Sequence, residues 1–345
     1  MKLSQMKKVI VAEMILLVVL CVMGNRGEEA IVTASTAQGE DYIKWVDFTV
    51  SYEALCKAYE WDVETHDSEH PINWVELLAY TAAKTGGKFD KKALKSMNLA
   101  AEELCAGETT LEELTGDMQY YPYYKEAYDA VLGGMVGEYE AEEIDENGNR
   151  TYCKKYGLKA YFPLARGFDY THYDDFGASR EYGYKRKHLG HDMMGLIGTP
   201  IVAVESGKVE ALGWNQYGGW RVGIRSLDGK RYYYYAHLRQ NYPFAENLEE
   251  GSIVTAGDVI GYMGHTGYST QENVNNIEVT HLHWGLELIF NEERREQGYE
   301  IWVDVYPLTR FLAKHTQPVT KMEGTKEWMR TTDIIDPVVE AAEAN

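Results

Sequence analysis

Three short stretches gather half of the chain's ten histidines into patterns that can do chemistry. His281-Leu282-His283 opens a run of alternating apolar residues, Trp284-Gly285-Leu286-Glu287-Leu288, that reads as a β-strand. Side chains at i and i+2 of a strand share a face, so one face carries two imidazoles about 7 Å apart. That pairing suits a metal ligand beside a proton-handling group. Upstream, His188-Leu189-Gly190-His191-Asp192 sets an imidazole and a carboxylate four positions apart. On a helix the two would share a face. Gly190 and the β-rich surroundings favour a loop entering a strand, and either conformation lets His188 and Asp192 converge. The third stretch, Tyr235-Ala236-His237-Leu238, ends a β-prone tyrosine run, where strand alternation turns His237 the same way as Tyr233 and Tyr235. Tyr233, Tyr235 and Trp284 then either line a groove or pack within the sheet.

The donors in these stretches are nitrogen and oxygen, which permits Zn²⁺ without excluding other divalent ions. Cys21, Cys56, Cys105 and Cys153 form no C-x-x-C pair, so a cysteine-built zinc site is disfavoured. A Cys56–Cys105 bridge is one arrangement for an oxidising compartment, and buried free thiols are the other. Neither H-E-x-x-H nor a serine or cysteine nucleophile motif occurs, which argues against the hydrolytic mechanisms those motifs carry.

The elements that must position these residues follow from the chain's periodicities. Residues 41–140 repeat apolar side chains at three- and four-residue steps and read as a helical domain. Pro71-Ile72-Asn73 opens a helix that Gly86-Gly87 stops, and Lys91 to Leu104 is another. Thr109 or Thr110 caps the next, with Glu112 and Glu113 in its first turn. Residues 141–162 form a connecting hairpin, marked by Asn147-Gly148. From there to about Asn291, short apolar runs punctuated by glycines read as an antiparallel β domain, closed by a strand and short helix over 302–312. Residues 316–345 read as a polar, acidic tail whose acidic end, Asp336 to Asn345, is disordered or a frayed helix. The fold class is therefore α+β and multidomain, an N-terminal helical domain followed by an antiparallel β-sheet domain.

The three histidine stretches, taken with their surroundings, resemble the M23 family of zinc metallopeptidases, the lysostaphin and LytM type. The resemblance runs through most of residues 163–312 and covers His-x-Gly-x-Asp at 188–192, Gly-Thr-Pro-Ile-Val-Ala at 198–203, Tyr-Ala-His-Leu at 235–238 and His-Leu-His at 281–283. A segment Asp175-Phe176-Gly177-Ala178-Ser179-Arg180 and the paired-glycine hairpin at 251–261 belong to the same pattern. The resemblance implies a metallopeptidase domain over 163–315, with His188, Asp192 and His283 binding one Zn²⁺ per chain. It makes His237 and His281 the catalytic pair. One takes the proton of a metal-activated water; the other stabilises the oxyanion or protonates the leaving amine. Ligand imidazoles must be neutral, so activity is expected to fall in acid. The implied substrate is peptidoglycan, cut in a cross-bridge or a stem peptide. Gln271 to Thr280 form a longer loop than the family pattern has, so specificity is less defined than the reaction. His191 and His265 read as flanking residues, and His66, His70, His172 and His315 as surface residues.

A second, fainter resemblance sets Leu77 to Gly87 beside the helix end of lysozyme-like transglycosylases. Lys84-Thr85 stands where that family carries its catalytic Glu-Ser, and lysine cannot protonate a glycosidic oxygen. The helical domain is therefore expected to have no glycosidase chemistry.

Residues 1–24 join Lys2, Lys7 and Lys8 to an apolar run from Val9 to Met23 and read as a signal anchor or signal peptide, with 25–40 a linker. The expectation is an extracytoplasmic protein, anchored to the membrane through this segment or secreted. Thirty-four basic against 54 acidic residues give a net charge of −20, which argues against nucleic acid as a partner. The rival reading is a non-catalytic envelope scaffold or hydrolase activator, whose relatives lose ligands or catalytic histidines; all five positions are filled here. An amidase or carboxypeptidase built on the same metal logic is a third.

Overall fold

The local signals of the helical segment translate directly into capped helices in a computed structural model, which describes residues 43–181 and 185–344. The expected leader and linker lie outside the described residues. Among the described residues, no helix is long and apolar enough to cross a membrane. The N-terminal part contains helices α1 (Tyr52–Thr65), α2 (Trp74–Thr85), α3 (Lys91–Cys105), α4 (Leu111–Thr115) and α5 (Tyr121–Leu132). Asn73 caps α2 by accepting from the amide of Glu76, and Gly86 ends it in the left-handed conformation at φ 65°. Thr110 and Glu113 satisfy each other's backbone amides in a capping box at α4. The buried face of α2, Trp74, Leu77, Leu78 and Ala82, packs against α1 and α5.

The hairpin pairs Val136–Ile144 with Arg150–Leu158 in unbroken antiparallel register. Its turn is closed by Asp145, whose carboxylate accepts from the amides of Asn147 and Asn149 at 2.8 Å each. A boundary at Glu140 therefore falls inside a strand.

The main sheet has eight antiparallel strands. In spatial order they are Ile253–Val254, Gly207–Asn215, Gly219–Ser226, Arg231–Ala236, His281–Leu288, His191–Gly195 and Tyr170–His172, with Ile301–Trp302 joined to the far end of His281–Leu288. Leu282 and Trp284 are fully buried while His281 and His283 stay partly open, so the strand offers an apolar face and a chemical one.

Helices and sheet share one core. A single cluster of buried side chains runs from Val46 through Leu78, Tyr128 and Trp284 to Leu312. Trp74 of α2 lies 5.8 Å, ring to ring, from Phe311 of the helix Tyr306–Leu312, and Tyr59 of α1 lies 5.5 Å from the same ring. All described residues belong to one compact unit.

The C-terminal segment differs from a polar tail. It forms strands Val319–Lys321, Trp328–Arg330 and Ile334–Ile335 and a helix Pro337–Glu343. Ile334–Ile335 adds to the hairpin. Asp336 is buried against Lys159 at 2.8 Å and accepts from the Ser206 hydroxyl, while buried Glu327 receives the hydroxyl of Tyr262 at 3.0 Å. Its anchors are charged groups buried in pairs, and polarity alone gives no sign of that. The three cysteines in the described residues are free and half-buried, with no Cys56–Cys105 bridge.

Candidate metal centre and catalytic groove

Three neighbouring strands bring the chemistry together. Asp192 stands opposite His283 across one strand pair, and Ala236 stands opposite His283 across the other. His188 precedes its strand in a loop that the Asp175–Arg180 segment holds in place. Its amide donates to the carbonyl of Ala178 at 2.8 Å and its carbonyl accepts from Gly177 at 2.7 Å.

The result is a tight triangle. His188 Nε2 lies 3.0 Å from Asp192 Oδ1 and 2.9 Å from His283 Nδ1, and His283 Nδ1 lies 2.9 Å from Asp192 Oδ1. Protons can satisfy one or two of these edges but not all three, since each N–H points along one edge and leaves another pair of acceptors or donors facing each other. A cation shared by all three atoms satisfies every edge. Tetrahedral Zn²⁺ with bonds near 2.0–2.1 Å would hold its ligands about 3.3 Å apart, close to this spacing.

Surrounding groups orient the triangle. His188 Nδ1 is 3.2 Å from both the carbonyl and the carboxylate of Asp175, which fixes its proton there and leaves Nε2 with a lone pair. Arg180 donates to the Asp175 carboxylate and, at 3.2 Å, to Asp192 Oδ2. Burial alone would raise the pKa of Asp192, but hydrogen bonds with His188 and His283 hold its carboxyl well below the usual range. Burial lowers His283, partly opposed by Asp192, so its imidazole is neutral at pH 7.

Gly190 makes room for this arrangement. A Cβ there would lie 2.5 Å from Nε2 and Cε1 of His283 and 2.9 Å from the carbonyl of Trp284. Gly190→Ala is expected to push the His283 ring out of the triangle and weaken metal binding on the order of 10- to 100-fold. Competition with a chromogenic chelator measures it, with thermal unfolding of the metal-free protein as the control for folding.

His237 and His281 flank the triangle, with ring centroids 4.7 Å apart. Nδ1 of His237 donates to the carbonyl of Thr266 at 2.9 Å, and Nδ1 of His281 to that of Val279 at 2.8 Å. A carbonyl can only accept, so both imidazoles, when neutral, carry their lone pair on Nε2. Burial pushes His237 well below its ordinary pKa, and the neighbouring His281 and His283 add to the shift. His281 Nε2 lies 3.8 Å from Asp192 Oδ1.

Strand alternation misplaced His237. The regular strand ends at Ala236, and His237 adopts a left-handed conformation at φ 63°. Its side chain therefore joins Tyr234 and Ala236 at the groove rather than Tyr233 and Tyr235. Those two tyrosines are fully buried, with hydroxyls committed to Glu205 and to the amide of Val204, and Trp284 is buried too. They pack the sheet and do not line the groove.

The remaining histidines lie outside the groove. His191 turns to the opposite face of its strand, where Nε2 meets Nδ1 of His172 at 2.8 Å and burial lowers its pKa to about 3. His172 and His315 are half-buried rather than surface residues, and His315 stacks on Tyr161. Sequence reasoning gave Asp175 and Arg180 no role; the signal available was their place in the segment that resembles the family. The longer loop is pinned by its own side chains: Asn273 accepts from the indole of Trp220 at 2.9 Å and from the amide of Asn241 at 2.8 Å.

A family model described as peptidase family M23 matches residues 186–295. Over 150 residues the chain is 36% identical to the L-Ala–D-Glu endopeptidase of Bacillus subtilis, covering 43% of this chain and 42% of that one. It is 39% identical over 89 residues to lysostaphin of Staphylococcus staphylolyticus, 26% of this chain and 18% of the other. The chain thus spans less than half the length of these curated relatives. A crystal structure of a lytM protein from Ruminococcus gnavus aligns over 79% of this chain and 91% of its own, at 24% identity and a TM-score of 0.52. That likeness speaks for the fold, helices included.

Proposed function

From a chain whose residues 186–295 form a peptidase family M23 domain, we propose a zinc-dependent endopeptidase that hydrolyses peptide bonds in bacterial peptidoglycan. The observation that carries this reading is the convergence of five side chains, from two strands, a loop and the residue just past a third strand, around one point in an open groove. A scaffold needs no such convergence. The peptide part of the wall fits because the Bacillus subtilis relative bears the name of an endopeptidase for an L-Ala–D-Glu bond. A cross-bridge or a stem peptide then supplies the bond, and the loop at 271–280 bordering the groove helps to choose between them.

His188 Nε2, Asp192 Oδ1 and His283 Nδ1 would hold the ion, one per chain. When bound, Zn²⁺ lowers the pKa of a water toward about 7 and polarises a carbonyl oxygen. Between them, Nε2 of His237 and Nε2 of His281 take the proton that the attacking water loses and return it to the departing amide nitrogen. Their Nδ1 hydrogen bonds hold each ring with that lone pair available. Arg180 and Asp175 keep the carboxylate and imidazole aimed.

A peptidoglycan substrate also calls for work outside the cytoplasm, consistent with the basic and apolar N-terminal sequence. The deciding experiment is mass spectrometry of fragments released from purified peptidoglycans of different cross-link type. New peptide termini are expected, suppressed by a chelator and restored by Zn²⁺. Fragments with newly reducing sugars and intact peptides would reject the endopeptidase reading.

A further inference from the structure

Arg186 stands in the same groove as His237, His281 and His283, and its charge is unspent. Other arginines of this acidic chain meet carboxylates: Arg180 meets Asp175 and Asp192, Arg225 meets Glu210 and Glu292, and Arg295 meets Glu287. Among the described residues, Arg186 pairs with none. It is half-buried between two aromatic faces, its guanidinium carbon 5.4 Å from the ring of Tyr268 and 5.9 Å from that of Tyr217. One Nη2 hydrogen bonds the Tyr268 hydroxyl, while Nε is buried with no hydrogen-bond partner. Tyr268 links this cation to the catalytic pair, its ring 6.1 Å from that of His237 and its backbone in the left-handed conformation at φ 47°. A planar cation that lies against two aromatic rings and spends one hydrogen bond on a hydroxyl keeps further guanidinium donors in the groove for a planar anion.

We propose that Arg186 receives a carboxylate of the substrate, so that the groove selects peptides carrying a free carboxyl group beside the scissile bond. The proposal rests on the endopeptidase reading and narrows it. A D-Glu that continues a peptide through one carboxyl carries the other as a carboxylate unless it is amidated, whereas a glycine bridge has no such group. The groove is therefore matched to a stem peptide with an acidic residue at the cut rather than to a neutral cross-bridge.

The test uses two synthetic peptides containing an L-Ala–D-Glu bond, chain-extended through the γ-carboxyl and differing only in an α-carboxylate or α-carboxamide. The full-length protein is expected to favour the carboxylate on the order of 10- to 100-fold in kcat/KM, the range of a charge-assisted hydrogen bond. Arg186→Gln should bring the carboxylate peptide down to the level of the amide, and Arg186→Lys should restore part of the preference. Each variant is read as a ratio between two substrates, so a loss of folded protein cancels. An equal fall for both peptides, with the preference kept, would overturn the proposal. Calorimetric binding of both peptides to the His281→Ala protein separates this inference from the reaction itself. If neither peptide is cut, a binding preference that Arg186→Gln abolishes keeps Arg186 and rejects hydrolysis; equal binding rejects Arg186.

Discussion

His283→Ala is expected to lose bound zinc and peptide hydrolysis together, whereas His281→Ala should keep one zinc per chain and lose turnover on the order of 10²- to 10⁴-fold. The two residues sit two apart on one strand face and differ in what their nitrogens touch. Nδ1 of His283 is 2.9 Å from both His188 Nε2 and Asp192 Oδ1, so its removal opens one corner of the donor triangle. Two donors on an otherwise aqueous groove cannot match a closed three-ligand site. His281 donates through Nδ1 to the backbone, and its Nε2 is 3.8 Å from Asp192, too far to belong to the triangle. Metal content by inductively coupled plasma mass spectrometry, set beside turnover of the same samples, distinguishes the roles. Full zinc in His283→Ala would remove that residue from the metal site, and unchanged turnover in His281→Ala would remove it from proton transfer.

Which parts of this site a sequence can carry follows from how each part is built. His281 and His283 were legible because a strand's period of two is rigid, and their strand is regular from His281 to Leu288. The helix starts at 71–73 and at Thr109 or Thr110 were legible because a start is marked by a local hydrogen bond between residues three apart, which Asn73 and Thr110 make. His237 broke the same alternation because its backbone enters the left-handed region just past the strand, and nothing in Tyr-Ala-His-Leu announces a positive φ. Asp175 and Arg180 escaped because orienting groups are recruited through space. The Asp175 carboxylate reaches His188 across 13 positions, with no period to betray it. The C-terminal segment escaped for a related reason. Its polar composition described its surface, while Asp336 and Glu327 are buried against partners more than 60 residues away.

The helical part has its own local signals but not its own core, and this sets the second large effect. Arg231 is 1% exposed and its guanidinium serves both halves of the chain. Nε and Nη2 bind the two oxygens of Glu205 at 2.8 and 2.9 Å, while Nη1 donates to the carbonyls of Asp129 and Ala130 at 3.3 and 3.1 Å. Those carbonyls belong to the last turn of α5, where the helix dipole favours a cation; that of Asp129 also accepts from the amide of Gly133, whereas that of Ala130 relies on the guanidinium. Gly134 leaves the space, since a Cβ there would lie 2.6 Å from Glu205. Arg231→Met therefore leaves the buried Glu205 carboxylate without its cation and the Ala130 carbonyl without its donor at once. The expected loss is about 3–5 kcal/mol, the cost of breaking a buried pair by removing one partner. Adding Glu205→Gln should recover part of it, because an amide without its cation is less costly to bury than a charge. Urea unfolding followed by tryptophan fluorescence and far-ultraviolet circular dichroism measures both. Because one core spans helices and sheet, the two signals are expected to fall together in every variant. A helical signal outlasting the fluorescence change in Arg231→Met would show instead that the helices hold together without the sheet.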